Sequence, residues 1–218
     1  EWVWDEGGAG LSGIFGPGTF FGIATCEKQV HLVQVSAQGK PGHGSMPHSH
    51  NPNDKLVRAL AHVLGNPRPV RLSPVTRAMF TALAATQHGT TRAFMTRLDN
   101  PAVQRVAGRR LSGDPQINAF LRDTISVNML HGGAQPNVIP DTAEAVLDCR
   151  LLPETDPDEF DRWLTKRLGK GVTFECSQRS PRTSISPIEG PFYTALAESV
   201  VRAAPGAGVF PMQVPGAT

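Results

Sequence analysis

The sequence predicts a mixed α/β chain whose centre is a ferredoxin-like βαββαβ domain. Three observations carry this expectation. The segment Thr142–Leu152 alternates strictly, with Ala143, Ala145, Leu147, Cys149 and Leu151 on one face and Glu144, Asp148 and Arg150 on the other. Directly after it, Asp156, Pro157 and Glu159 mark a helix start, while Lys166 and Arg167 before Gly169 mark its end. Between residues 30 and 180, strand and helix patterns follow in the order strand, helix, strand, strand, helix, strand, which is the split βαβ arrangement with both helices on one face.

The elements follow in chain order. Trp2-Val3-Trp4 reads as a strand, followed by a Gly-rich loop from Gly7 to Gly18 and a second apolar segment. Val30–Ala37 is strand-like and ends at Gly39. Asn53 or Asp54 can cap a helix with Leu56, Leu60, Val63 and Leu64 on one face and Gly65 at its end. Ile125–Leu130 is the next strand, with Ile125, Val127 and Met129 on one side. Thr142–Leu152 follows, then the Asp156-capped helix with Phe160, Trp163, Leu164 and Leu168 on its apolar face, then the strand Val172–Cys176. Residues 67–123 form a long insertion in which Met79–Ala85 and Ile117–Leu121 look helical and Pro67, Pro69, Pro74, Pro101 and Pro115 act as breaks. After Pro187 come a helix around Phe192–Ala203 and a short Val209-Phe210 strand. The expected organisation is 1–30 and 185–218 as parts of one domain, interrupted by a second domain over 31–184.

Composition narrows the function. The 218 residues are 39% hydrophobic and 18% charged, with Lys+Arg 21 against Asp+Glu 19, a net charge of +2. A real core is affordable, and the near-neutral balance argues against nucleic acid as a partner, since phosphate binding needs a clustered basic face. No apolar run approaches the roughly 18 residues of a membrane span. Cys26, Cys149 and Cys176 are odd in number and form no CxxC, which argues against a disulfide scaffold or a cysteine zinc site. The chain opens at Glu1, so the lack of a leader leaves its compartment open.

Several residues stand out chemically, each with two readings. Gly8-x-Gly10-x-x-Gly13 matches a dinucleotide fingerprint, but Gly16-Pro17-Gly18 follows where a helix would have to begin. His43, His48 and His50 lie in a Gly/Pro/Ser-rich stretch that suits a surface loop, and only His43 is flanked by glycines that leave its imidazole unshielded. Glu6, after Asp5 at the end of a strand, suits either a metal ligand or a solvated acidic turn. Arg150 can clamp a carboxylate bidentately or pair with Asp148 or Glu144. Asn137, between Pro136 and Val138-Ile139-Pro140, can donate to a carbonyl or cap the turn.

Gly39-Lys40-Pro41-Gly42-His43-Gly44-Ser45-Met46-Pro47, His131-Gly132-Gly133-Ala134-Gln135-Pro136-Asn137-Val138-Ile139-Pro140 and Asp148-Cys149-Arg150 together resemble the zinc metallopeptidase/deacylase family of glutamate carboxypeptidase, aminoacylase and acetylornithine deacetylase. Asp5-Glu6-Gly7-Gly8 and the insertion look most like its carboxypeptidase S branch. The resemblance implies a partial α/β zinc-peptidase catalytic domain (1–30 and 185–218) interrupted by a lid that mediates homodimerisation. It implies zinc, two ions in the intact enzyme, with Glu6 as one ligand. His43 would stabilise the oxyanion, and Asn137 and Arg150 would hold the substrate's carbonyl and carboxylate. The substrate would be a peptide or an N-acyl amino acid. The family's upstream His-x-Asp, its further Asp, its Glu-Glu pair and its C-terminal His have no counterpart here. The expectation is therefore a fragment that is inactive alone and retains no zinc. A non-catalytic dimerisation or binding module is the alternative.

Overall fold

A computed structural model describes residues 8–12, 18–98, 100, 102–103, 106 and 113–216. Its strands are β1 (Gly8–Ser12), β2 (Thr19–Glu27), β3 (Gln29–Gln38), β4 (Gly42–His43), β5 (Thr124–His131), β6 (Val138–Ile139), β7 (Thr142–Leu151), β8 (Val172–Arg179) and β9 (Gly208–Val214). Its helices are α1 (Pro52–Leu64), α2 (Pro74–Ala84), α3 (Gly89–Met95), α4 (Pro115–Leu121), α5 (Pro157–Leu168) and α6 (Pro191–Ala203). The chain divides into two compact units. One holds Gln29–Arg68 and Asp123–Pro181, and the other holds Pro69–Arg122 with the chain before Gln29 and after Pro181.

The first of these units is the predicted ferredoxin-like domain. Its sheet runs β5-β7-β3-β8, with every neighbouring pair antiparallel. The alternation of β7 is realised residue by residue: Ala143, Ala145, Leu147, Cys149 and Leu151 are buried, and the residues between them are half-buried. They meet Val33, Val35 and Ala37 of β3, Leu56, Leu60 and Val63 of α1, and Phe160, Leu164 and Leu168 of α5 in one core. Both helices therefore cover the same face, as a period-2 strand with one apolar side requires.

Four local expectations are corrected here. Helix α1 is capped by Asn51, whose side chain accepts from Asn53 N, because Pro52 at the first helical position needs no donor partner. Leu64 is exposed. The register of β5 slips between Val127 and Met129, so Ile125 and Val127 touch the core while Met129 turns out to solvent. Glu159 does not reach back to the cap of α5. Its carboxylate takes both terminal nitrogens of Arg68, at 3.2 and 2.6 Å.

The second unit has a three-stranded sheet ordered β1-β2-β9, with β2 and β9 parallel. Phe20, Phe210 and Met212 from this sheet pack with Met79, Phe80 and Leu83 of α2 and Phe120 and Leu121 of α4. The 67–123 segment thus interrupts the other unit in sequence, yet its apolar side chains complete this core. Pro74 and Pro115, read as breaks, stand in the first turns of α2 and α4 behind the caps Ser73 and Asp114. The Gly-rich stretch Gly8–Ser12 is a strand rather than a loop. A side chain at Gly8, with φ at +144°, would run into the Gly22 carbonyl, so the strand is built on glycine's freedom. Gly8 and Gly10 lie within β1 and pair with β2, and the next described element is a strand, which is not the strand-to-helix turn the dinucleotide reading needs. No helix among the described residues is long and apolar enough to cross a membrane.

Candidate active site

His43 and Asn137 are brought together by a small ribbon. Strand β4 pairs antiparallel with β6, His43 opposite Val138, and the Gly44 N–H donates to the Asn137 carbonyl at 2.7 Å. A side chain at Gly44 would sit 3.2 Å from that same carbonyl oxygen, so the two segments approach this closely because residue 44 carries none. Beyond the ribbon, Gly39 N donates to Asp141 O at 2.7 Å, fixing the ribbon to the end of the sheet where β3 finishes and β7 begins.

The His43 imidazole is exposed and oriented. The Ser45 backbone N–H, a donor only, points at Nδ1 from 3.3 Å, and Ser45 Oγ lies 2.7 Å from the same nitrogen. With Nδ1 accepting, the neutral ring carries its proton on Nε2, directed away from its own loop. That is a donor ready for an external oxyanion. Asn137 is likewise exposed, its carbonyl engaged with Gly44 and its side-chain amide at the surface. Ser45 was not singled out in the sequence; its signal was a hydroxyl two residues beyond a glycine-flanked histidine.

Arg150 lies elsewhere. It sits opposite Val30 and Thr124, at the other end of β7 from Thr142. Eight residues of strand at ~3.4 Å each put about 27 Å between those ends. The guanidinium is already engaged: Nε donates to Asp148 Oδ1 at 2.6 Å and Nη2 to Oδ2 at 3.2 Å. This pairing is the second of the two roles its sequence allowed. The hydrogen bond to Asp148, outweighing partial burial, raises the Arg150 pKa and keeps the group charged. Nη1 is the guanidinium nitrogen outside that pairing. One chain does not bring Arg150 to the His43–Asn137 cluster.

The Arg150 end is anchored by a buried network. Asp123 accepts from Arg68 Nε at 3.0 Å, from Leu152 N at 2.7 Å and from Thr155 Oγ1 at 2.7 Å. Arg68, whose guanidinium also lies 5.2 Å over the Trp163 ring, is nearly inaccessible. Burial alone would lower its pKa, but Glu159 and Asp123 more than offset that and raise it.

Glu6, the expected zinc ligand, lies outside the described residues. Among the described residues no three His, Cys, Asp or Glu side chains are grouped to hold a metal ion. His48 and His50 approach each other at 6.2 Å between ring centroids, while His43 is tied to Ser45. The described donors therefore do not by themselves make the family's zinc centre.

Residues 27–172 match the M20 family's peptidase dimerisation domain. The chain belongs to the M20 peptidase family. Mouse (Mus musculus) aminoacylase-1 is 23% identical over 189 residues, covering 84% of the chain and 37% of that protein. The N-fatty-acyl-amino acid synthase/hydrolase of Danio rerio is 31% identical over 155 residues, covering 69% of the chain and 29% of that protein. The chain spans only 37% and 29% of the length of these two relatives. Among solved structures, an M20 family metallo-carboxypeptidase from Sulfolobus solfataricus superposes with a TM-score of 0.59 at 17% identity, over 90% of this chain and 54% of that one. Human carnosine dipeptidase 1 does so with a TM-score of 0.56 at 13% identity, over 90% and 45%. These neighbours share the fold of this M20 chain. The relatives support the M20 peptidase/aminoacylase family and not the carboxypeptidase S branch expected from Asp5-Glu6-Gly7-Gly8.

Proposed function

We propose that this M20 chain supplies the lid of a larger zinc-dependent amidohydrolase that cleaves a peptide or an N-acyl amino acid. The carrying observation is the β4–β6 ribbon, which holds exposed His43 and exposed Asn137 on neighbouring cross-strand positions, with His43 Nδ1 accepting from Ser45 N and its Nε2–H left to donate. Such donors serve a carbonyl whose oxygen gains charge as it is attacked, and one of them is worth roughly 10²–10³ in turnover. Coverage of only part of the length of its relatives supports a larger whole. Zinc, held by Glu6 and residues beyond this chain, would polarise that carbonyl and activate water.

The substrate's free carboxylate goes to Arg150, through the edge of the guanidinium that Asp148 leaves open. Because Arg150 and His43 stand at opposite ends of the lid sheet, the reading assigns them to one substrate only across two chains: His43 and Asn137 from one copy, Arg150 from the other. The copies would meet along β5, an edge strand ending in exposed Met129 and Leu130, with exposed Val57 and Leu64 on α1.

The 218-residue chain alone is then inactive. The test is to compare it with the protein extended by its flanking coding sequence. The extended protein should bind zinc and hydrolyse N-acyl amino acids or dipeptides, and the chain alone should do neither. Stoichiometric zinc in the 218 residues would overturn the inactivity. An extended protein that dimerises without hydrolysing would favour the alternative, a dimerisation module without chemistry.

A further inference from the structure

Three reactive side chains meet beside the four-stranded sheet, none of them part of the His43, Asn137 or Arg150 motifs. His31 of β3 is fully buried, its ring edge-on to Phe160 at 5.5 Å. Its Nε2 lies 2.7 Å from Asp161 Oδ1 on α5, and its Nδ1 lies 3.8 Å from Cys176 Sγ on β8. A bulge creates the arrangement. The pairing of β3 with β8 slips between Leu32 and Val33, so that His31 faces Arg179 while Val33 faces Cys176. Residues three apart on β8 are thereby turned to the same, helix-covered side, where regular pleating would send one of them away. Arg179 uses this to reach Asp158 at 2.9 Å, and Cys176 uses it to reach His31.

The tautomer follows from the partners. A carboxylate accepts only, so the Nε2 facing Asp161 carries the proton, and Nδ1 of the neutral ring is a lone pair aimed at sulfur. The thiol proton can go to Nδ1 or to the Gln178 carbonyl, 3.4 Å from Sγ. Moving it to Nδ1 leaves a thiolate beside an imidazolium whose far side is held by Asp161. This is the order of nucleophile, base and orienting acid that activates a cysteine. Cys176 is exposed, whereas Cys26 and Cys149 are buried.

We propose that Cys176, His31 and Asp161 form an activated-thiol site that takes a small disulfide at Sγ. In the step, Nδ1 takes the thiol proton and Sγ attacks one sulfur of the disulfide. The Cys176–sulfur bond forms as the reagent's own S–S bond breaks, and the departing thiolate takes the proton from Nδ1. Cys176 is oxidised to a mixed disulfide while half of the reagent is reduced to a thiol. The charged and titratable groups facing the site are Asp161 and Asp158 from α5, Arg179 from β8 and Cys149 from β7. Burial and the Asp161 carboxylate raise the thiol above its ordinary range, so Sγ depends on the neighbouring Nδ1 to take its proton as it attacks.

Treating the intact chain with glutathione disulfide between pH 6 and 9, and mapping the adduct by mass spectrometry, tests the site. Cys176 should react ahead of Cys26 and Cys149. At pH 6.5, where an ordinary thiol is only about 1% thiolate, its rate should exceed that of the same cysteine in the urea-unfolded chain about tenfold or more. Asp161→Asn should remove about tenfold of that rate. A folded rate no higher than the unfolded one, or indifference to Asp161→Asn, would overturn the proposal. Should that variant fail to fold, the pH dependence of the unmodified chain's rate decides. A rate rising less than about tenfold per pH unit between pH 6 and 8 is expected, since Nδ1 takes the proton, and the roughly tenfold rise per unit of an ordinary thiol would contradict it.

Discussion

The two ends of the lid sheet are built in opposite ways. At one end, His43 and Asn137 stand in solvent on a two-residue ribbon, held by backbone hydrogen bonds and by Ser45. At the other, Arg150 lies against Asp148 beside a buried cluster in which Asp123 takes three donors and Arg68 spans two carboxylates. The exposed end presents its side chains to solvent. The buried end holds a group fixed in direction by its own neighbours. The same contrast separates mutations that harm function from mutations that harm folding.

The largest effect is expected at the buried end. Asp123→Ala leaves Arg68 Nε, Leu152 N and Thr155 Oγ1 without their buried acceptor while Glu159 still holds the Arg68 terminal nitrogens, and breaking a buried pair this way costs about 3 kcal/mol. Urea unfolding should show it. His43→Ala and Asn137→Ala, at the exposed end, should stay within about 0.5 kcal/mol of the parent in the same experiment. In the extended enzyme the order reverses: His43→Ala should lower turnover by roughly 10²–10³-fold with little change in KM. A comparable fall in stability on His43→Ala would erase the contrast.

Arg150→Ala should raise KM by about tenfold, the equivalent of one charge-assisted hydrogen bond, on substrates with a free carboxylate. Amidated analogues should be spared, and equal loss on both would remove the clamp. The smallest effect lies in the core beneath Arg150. Burial raises the Cys149 thiol far above its ordinary range, so the folded chain keeps it protonated while the unfolded chain releases the proton. That stabilising difference is complete below the unfolded thiol pKa near ~8.5 and is lost at about 1.4 kcal/mol per pH unit above it. Unfolding measured from pH 8 to 10 should lose this slope in Cys149→Ala.

The legible parts of the fold were those with a local cause. The period of β7 and the Asp156-Pro157 start of α5 needed only neighbouring residues. What the sequence concealed came from partners far along the chain. Glu159 has the spacing of a capping box, but Arg68, 91 residues away, holds its carboxylate. Gly8–Ser12 is too rich in glycine for a strand by propensity, and β2 makes it one. Asn51 is masked as a cap because Asn53 and Asp54 offer the same kind of side-chain acceptor two and three residues on. In the site, glycines and prolines marked His43 and Asn137 separately, but their pairing through Gly44 is a tertiary fact. Arg150 had an acid two residues away on its own face of β7, which anticipates the Asp148 pairing, whereas its distance from His43 depended on the register of the sheet. The bulge that turns Cys176 toward His31 left no mark on either strand's pattern.

The central claim is that His43 and Arg150 serve one substrate only across two chains, and subunit mixing tests it most directly. In the extended enzyme, His43→Ala and Arg150→Ala, each assayed with substrate well below KM so that it retains about a tenth of the parent activity or less, are unfolded, mixed and reassembled. A shared site predicts that mixed dimers carry one intact His43–Arg150 pair and recover about a quarter of the parent activity, since half the dimers are mixed and half their sites intact. No recovery on mixing, with dimers formed, would show that both residues act within one chain and would contradict the account.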